Sequence, residues 1–167
     1  MSEAVFGRAR FKRDGDVMEA RLSRDIDDSL DRVWAALTEP EELVKWLAPG
    51  EIELHEGGAA KLNFADSGIT INSKVTEIDP LSVLEYSWSG PGEPLRPVRW
   101  EIRPKGDAVL LNLSLRMPAS EDAGRACAGW DAHLEMLAAA LAGVPIKFPF
   151  ELFKAAREAY RSELASK

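Results

Sequence analysis

The sequence predicts an α+β domain in which a curved antiparallel sheet of about seven strands wraps around one long helix near the C terminus. Three observations predict it. Between residues 51 and 117, apolar and polar residues alternate with period two, so each strand has one greasy side. Residues 129–141 instead carry an apolar stripe at Trp130, Leu134, Leu137 and Leu141, the spacing of a single helix face. A lone helix with such a stripe needs a concave surface to cover. The strands before it are the only large one available, and the two together enclose a space.

The first 16 residues are polar and charged with few apolar positions, and read as a lead-in or a frayed first strand. Residues 17–26 alternate and form the first full strand. Asp28 or Ser29 then accepts from the free N–H groups that open a helix over 30–37. Thr38-Glu39-Pro40 ends that helix and starts another over 40–47, with Pro40 preset for a first helical turn and Leu43, Trp46 and Leu47 on its buried side. These two short helices lie across one end of the sheet.

A string of hairpins follows. Residues 51–55 and 59–65 flank the turn Glu56-Gly57-Gly58, and Asp66-Ser67-Gly68 is the next turn. Ile69, Ile71, Ser73 and Val75 alternate with Thr70, Asn72, Lys74 and Thr76, and Asp79-Pro80 breaks the chain before a strand over 83–89. Leu84, Tyr86 and Trp88 share one face of it. After the loop Gly90-Pro91-Gly92-Glu93-Pro94, Val98, Trp100 and Ile102 share a face, and Val109, Leu111, Leu113 and Leu115 share one on the last strand. Residues 17–143 therefore form one domain. Beyond Gly143, Pro145 to Pro149 interrupt the chain before a helical extension, within 144–167, that carries Phe153, Tyr160 and Leu164 on one side. Three placements are open for it: the outside of the domain or a second copy of the chain, a lid, or a partner-docking arm.

Composition bounds the function. A chain of 167 residues fits one ordinary domain and buries roughly 70% of its unfolded surface, so the single Cys127 need not staple it. The opening Met1-Ser2-Glu3 lacks the basic and apolar pattern of a secretory leader, which makes the cytoplasm the expected location. No stretch approaches the ~20 apolar residues of a membrane span. A net charge of −7 without a basic patch disfavours nucleic acid.

Val33-Trp34-Ala35-Ala36-Leu37-Thr38-Glu39-Pro40-Glu41-Glu42-Leu43-Val44-Lys45-Trp46, then Gly57-Gly58, Ile78-Asp79-Pro80 before Leu84 and Trp88, and Gly129-Trp130 with Leu134 and Leu137 occur in a telling order. The set resembles the SRPBCC (START-like) superfamily, and within it the family named after the activator of the 90-kDa heat-shock protein's ATPase. Where that family has a Gly-Thr pair before the final strand, this chain has Lys105-Gly106-Asp107-Ala108. The resemblance implies a helix-grip (START/Bet v 1-like) fold with a hydrophobic cavity between sheet and terminal helix, and it implies no fixed cofactor or shared catalytic residue. Members of the superfamily bind lipids, hormones or polyketides, and a few are enzymes.

A cavity of that kind would draw its lining from Trp46, Phe64, Ile71, Tyr86, Trp88, Trp100, Leu113, Trp130, His133, Leu134 and Leu137. The aromatic residues offer large flat surfaces, several with a polar handle, although a plain core uses them too. Tyr86 stands out because a mid-strand hydroxyl on the greasy face has to find a partner or a ligand atom. His133 flanks the helix stripe, either tipped into the pocket or wet at its rim; His55 ends a strand beside a turn and faces water. Cys127 and His133 lie six positions apart on one helix, about 120° and ~9 Å from each other, which forbids a local nucleophile–base pair. Cys127 reads as a packing residue or, less simply, a reactive thiol. Neither His stands in a metal-ligand spacing, so no metal is expected, and no cofactor is expected because the resemblance implies none. Glu77 and Glu85 read as solvent-facing, and would enter the pocket as acids only if the strand register placed them inward; Arg99, Arg103 and Arg116 read as the wet side of the sheet.

These residues lead to a small-molecule binding domain for an apolar or aromatic ligand, without a defined catalytic activity. Two other classes stay in play. One is an interaction module that stimulates a partner ATPase, as the family name suggests, or that forms a homodimer through its C-terminal helix. The other is a cofactor-free cyclase or hydrolase using a pocket His or Glu.

Overall fold

A computed structural model describes residues 9–64 and 68–165. Eight antiparallel strands form one sheet in the order β1-β2-β8-β7-β6-β5-β4-β3: β1 (Arg10–Asp14), β2 (Val17–Ile26), β3 (Gly50–Ile52), β4 (Ala59–Phe64), β5 (Ile69–Asp79), β6 (Val83–Ser87), β7 (Pro97–Lys105) and β8 (Ala108–Pro118). The helices are α1 (Leu30–Thr38), α2 (Pro40–Trp46), α3 (Ala123–Leu141) and α4 (Phe150–Ala165). The expected α+β arrangement is present, with one strand more than expected. The additional strand is β1, which pairs with β2 from Arg10↔Arg21 to Asp14↔Val17 through a turn at Gly15, φ +61°. As an edge strand, β1 exposes nearly every side chain, so it carries no apolar alternation to read. The turn expected at Asp66-Ser67-Gly68 lies, apart from Gly68, outside the described residues.

Register puts the alternating residues where period two demands. Val98, Trp100 and Ile102 of β7 face Leu115, Leu113 and Leu111 of β8, and all six are at least nine-tenths buried. A bulge between Val75 and Glu77 in β5 breaks the pairing with β6, and such an extra residue bends a strand. Close approach of backbone explains Gly50 at the start of β3, where an added Cβ would lie 2.0 Å from the Lys61 carbonyl oxygen.

Ser29 caps α1 by accepting from Arg32 N, and Pro40 starts α2. Near the end of α1, its last carbonyls accept from a side-chain hydroxyl, from the backbone beyond the helix and from an indole N–H. The Thr38 hydroxyl donates to Trp34 O, Glu39 N to Ala35 O, and the Trp46 indole N–H to Ala36 O at 2.7 Å. The stripe Trp130, Leu134, Leu137 and Leu141 of α3 is buried against the sheet's inner residues. This helix begins seven residues before the stripe, capped by the Asp122 carboxylate, which accepts from Arg125 N. Its first turns, Ala123-Gly124-Arg125-Ala126-Cys127-Ala128, have no large apolar side chain to mark a helical period.

Small residues there let α4 come close: a Cβ on Gly124 would sit 3.1 Å from Tyr160 Cβ. The helix α4 packs on α3 of the same chain through Ala156 and Tyr160, with Phe153 and Leu164 partly buried beside them. Its docking is polar as well as apolar. Asp131, fully buried on α3, pairs with Arg24 of β2 at 2.7 Å and accepts a short hydrogen bond from the Tyr160 hydroxyl, whose oxygen accepts from Ala9 N. Arg24 lies in phase with the buried Ala20, Leu22 and Ile26, an inward-facing cation that only an inward-facing anion makes tolerable.

Candidate functional site

Between the sheet and α3, side chains of the aromatic set pack edge to face in one continuous chain. Trp46 meets Trp100 at 5.9 Å between ring centroids, Trp100 meets Trp130 at 5.5 Å, Trp130 meets Trp88 at 4.7 Å, and Trp88 meets Phe64 at 5.7 Å. His133 joins it, 6.0 Å from Phe64, 6.1 Å from Trp130 and 5.5 Å from Phe148. Edge-to-face contact places positive ring edges on negative faces, so this packing is attractive beyond the area it buries. Trp46, Tyr86, Trp100, Leu113, Leu134 and Leu137 sit inside it, each at most 2% exposed.

Beside this packed centre, toward the N-terminal end of α3, the fold leaves a cavity of about 280 Å³. Ile71, Trp88 and Trp130 from the expected lining meet there, joined by Ile69, Val98, Leu115, Met117 and Ala126. Pro97 and the charged residues Glu93, Arg96, Arg116 and Glu121 complete it. Phe64 and His133 stand behind the Trp88–Trp130 pair. An apolar wall with a few polar groups at one side is the usual make-up of a small-molecule site.

The loop between β6 and β7 shapes that polar side, and two buried serines hold it. Arg96 N donates to Ser87 Oγ at 2.8 Å, and Ser89 Oγ donates to the Pro94 carbonyl. Ser89 having used its proton, the 2.7 Å contact between the two hydroxyls must run from Ser87 to Ser89. Pro91 and Gly92, with φ +76° at Gly92, occupy the middle of a turn closed by Glu93 N to Gly90 O. From this loop Arg96 reaches Glu121, before α3, with Nε and Nη2 each at 2.8 Å from a carboxylate oxygen. The bidentate bond, and the nearby charges of Glu121 and Glu93, raise the Arg96 pKa. Glu93 is held below the usual carboxylate range, first by the Gly90 N–H that its Oε1 accepts at 2.6 Å.

Polar groups inside the packed centre are few. Burial pushes the Tyr86 hydroxyl up to about 12, opposed by the Trp100 indole N–H. That N–H influences Tyr86 without reaching hydrogen-bond geometry, and it has no partner among the described residues. Burial, with the charge of Asp131 one turn away, raises the Cys127 thiol well above its ordinary value, so it is a packing residue and not a thiolate. On the outer face Arg99 binds Glu77 at 2.7 Å and reaches Glu85 at 3.4 Å, and His55 is exposed. No group of three or more His, Cys, Asp or Glu placed to hold a metal ion occurs among the described residues.

His133 Nδ1 lies 2.9 Å from the Trp46 carbonyl. A carbonyl only accepts, so Nδ1 carries the proton and a neutral ring leaves its lone pair on Nε2. Burial lowers its pKa, and the Trp46 bond opposes that shift. The unfolded chain therefore binds the proton more readily. This contribution to stability is complete above the ordinary value of 6.5 and is lost as pH falls through it toward the folded-state pKa. Melting temperatures taken across this window should fall more steeply for the wild type than for His133→Asn; equal slopes would mean that His133 is not the group responsible.

Fold and cavity together define a helix-grip domain of the START-like, SRPBCC type. Residues 27–142 match the family described as Activator of Hsp90 ATPase homolog 1-like protein, and the chain belongs to that family. Solved structures share the fold. CalU16 from Micromonospora echinospora is 21% identical with a TM-score of 0.78, over 93% of this chain and 96% of that one. EF2215 from Enterococcus faecalis, a conserved protein of unknown function, is 19% identical with a TM-score of 0.80, over 95% and 91%. The BPP1335 product of Bordetella parapertussis is 27% identical with a TM-score of 0.71, over 96% and 94%. No curated protein matches this chain in sequence.

Arg96, Glu121 and Met117 escaped the sequence reading. The first two meet across 25 residues of chain, and no local pattern announces such a pair. Met117 extends the phase of Leu111, Leu113 and Leu115, and that alternation was the available signal.

Proposed function

We propose that this chain binds an apolar or aromatic small molecule in the cavity between the sheet and the N-terminal end of α3. The observation that carries the reading is the cavity itself: about 280 Å³ of space beside a centre otherwise filled by interlocking rings. The space is concave and lined mainly by apolar side chains, so an apolar ligand placed there would gain by losing contact with water. The helix-grip architecture supports the same reading, since it is of a ligand-binding kind.

The competing reading, a module that stimulates a partner ATPase, rests on the family description and calls for a filled interior. A homodimer through the apolar side of α4 would first have to release that side from α3, where Ala156 and Tyr160 are buried. For a hydrolase or cyclase, His133 supplies a base, whereas the protonated Cys127 supplies no nucleophile beside it.

N-phenyl-1-naphthylamine, a neutral dye that brightens in apolar surroundings, should bind the wild type with its fluorescence enhanced. Ala126→Phe, which pushes a ring into the space, should lower that affinity by about tenfold or more, the change expected from about 1.4 kcal/mol of lost contact. A dye that ignores the wild type, or that binds Ala126→Phe equally well, overturns the reading. Native mass spectrometry of protein from its own host would then identify the natural occupant.

A further inference from the structure

The mouth of the cavity carries charge whose sum decides which ligands are welcome. Glu93, Arg96, Arg116 and Glu121 line it, and Arg116 faces Glu19 across the β2–β8 pair at 3.4 Å. Three carboxylates thus stand against two guanidinium groups, a net charge of −1 on a protein of net charge −7. An anionic ligand would meet that excess and would also surrender its hydration to an apolar wall, and both effects oppose it.

Arg96 nevertheless has hydrogen-bonding capacity left. Its Nε and one Nη2 proton are committed to Glu121 at 2.8 Å. Nη1 makes only long contacts, 3.3 Å to Trp88 O and 3.5 Å to Glu93 Oε1, and the second Nη2 proton has no acceptor among the described residues. The ion pair with Glu121 cancels the charge of Arg96 while leaving donors at the cavity. Such a group suits an acceptor that brings no charge of its own. The wall beside it consists of Trp88, Trp130, Ile71, Val98 and Met117, flat rings and a thioether that favour an aromatic body. An apolar cavity of about 150 Å³ holds benzene, so this larger one has room for two fused rings.

Resting on the ligand-binding reading above, we infer that the cavity selects neutral aromatic carbonyl compounds, with Arg96 donating to the carbonyl oxygen, and discriminates against carboxylates of the same size. Glu93 and Glu121 set the discrimination through their charge. Glu93 is the freer of the two, because its contact with Arg96 is long and its side chain is half exposed.

Two probes of nearly equal shape test this: 2-acetylnaphthalene and 2-naphthoate, titrated by calorimetry at neutral pH. The ketone should bind about tenfold or more tightly than the carboxylate, consistent with one unfavourable charge at close range in a partly screened site. Glu93→Gln keeps an oxygen for Gly90 N and removes a charge, so it should narrow the ratio severalfold. Arg96→Met should bring the ketone down to the affinity of 2-ethylnaphthalene, which has no acceptor. If both naphthyl probes bind equally, or the carboxylate binds more tightly, or Glu93→Gln leaves the ratio where it was, the selectivity is wrong and the ligand-binding reading survives. If no naphthyl compound binds the wild type, both fall together.

Discussion

Asp131→Ala is expected to destabilise the protein by about 3 to 5 kcal/mol, the range seen when one member of a buried ion pair is removed. The physical cause is what remains. Arg24, on the inward face of β2 with 17% of its side chain exposed, loses its carboxylate, and the Tyr160 hydroxyl loses its acceptor in a buried position. Partial access of Arg24 to water places the expected cost near the lower end of that range. Asp131→Asn keeps an oxygen for either neighbour but gives up the charge, so it should fall between alanine and wild type. Tyr160→Phe, which leaves the Arg24 pair intact, should cost less than Asp131→Ala, about 1 to 3 kcal/mol for the two hydrogen bonds its hydroxyl makes, to Asp131 and from Ala9 N. Urea unfolding of the series reads the order directly. If Asp131→Ala costs under about 1 kcal/mol, α4 is held by its apolar side alone and the network does not fix it.

That network also shows where sequence reasoning stops. The sheet was legible because β7 and β8 alternate without a break, and a one-residue slip would turn every buried side chain to water. The main body of α3 was legible from Trp130, Leu134, Leu137 and Leu141, but its first two turns were not, since alanine and glycine mark no face. Arg24 did stand in the buried phase of β2, a local sign of trouble. Its resolution lies 107 residues away, where Asp131 looks like any polar helix position. The cavity follows the same rule. Which residues are greasy can be read from alternation, whereas which of them touch each other and which leave space depends on ring orientations three-dimensional packing alone decides. So Tyr86 and Trp100 share the inner face with Trp88, yet they lie in the filled part and Trp88 at the open one.

Trp100→Ala should cost about 3 to 5 kcal/mol, because the ring is 1% exposed and its removal leaves a hole between Trp46 and Trp130 that fixed neighbours cannot close. Phenylalanine in its place separates packing from hydrogen bonding. The Trp46 N–H takes up the Ala36 carbonyl, one of the groups α1 cannot satisfy itself, so Trp46→Phe loses volume and also orphans a buried acceptor. Trp100→Phe loses similar volume but removes an N–H that had no partner, a group whose desolvation was never compensated. Both side chains are 1% exposed, so burial does not distinguish them. Trp46→Phe should therefore be the more damaging by about 1 to 3 kcal/mol, the cost of an unsatisfied buried polar group. Equal losses, or a larger one for Trp100→Phe, would show that the Trp100 N–H has found an acceptor, with the Tyr86 hydroxyl, whose pKa it already influences, as the nearest candidate.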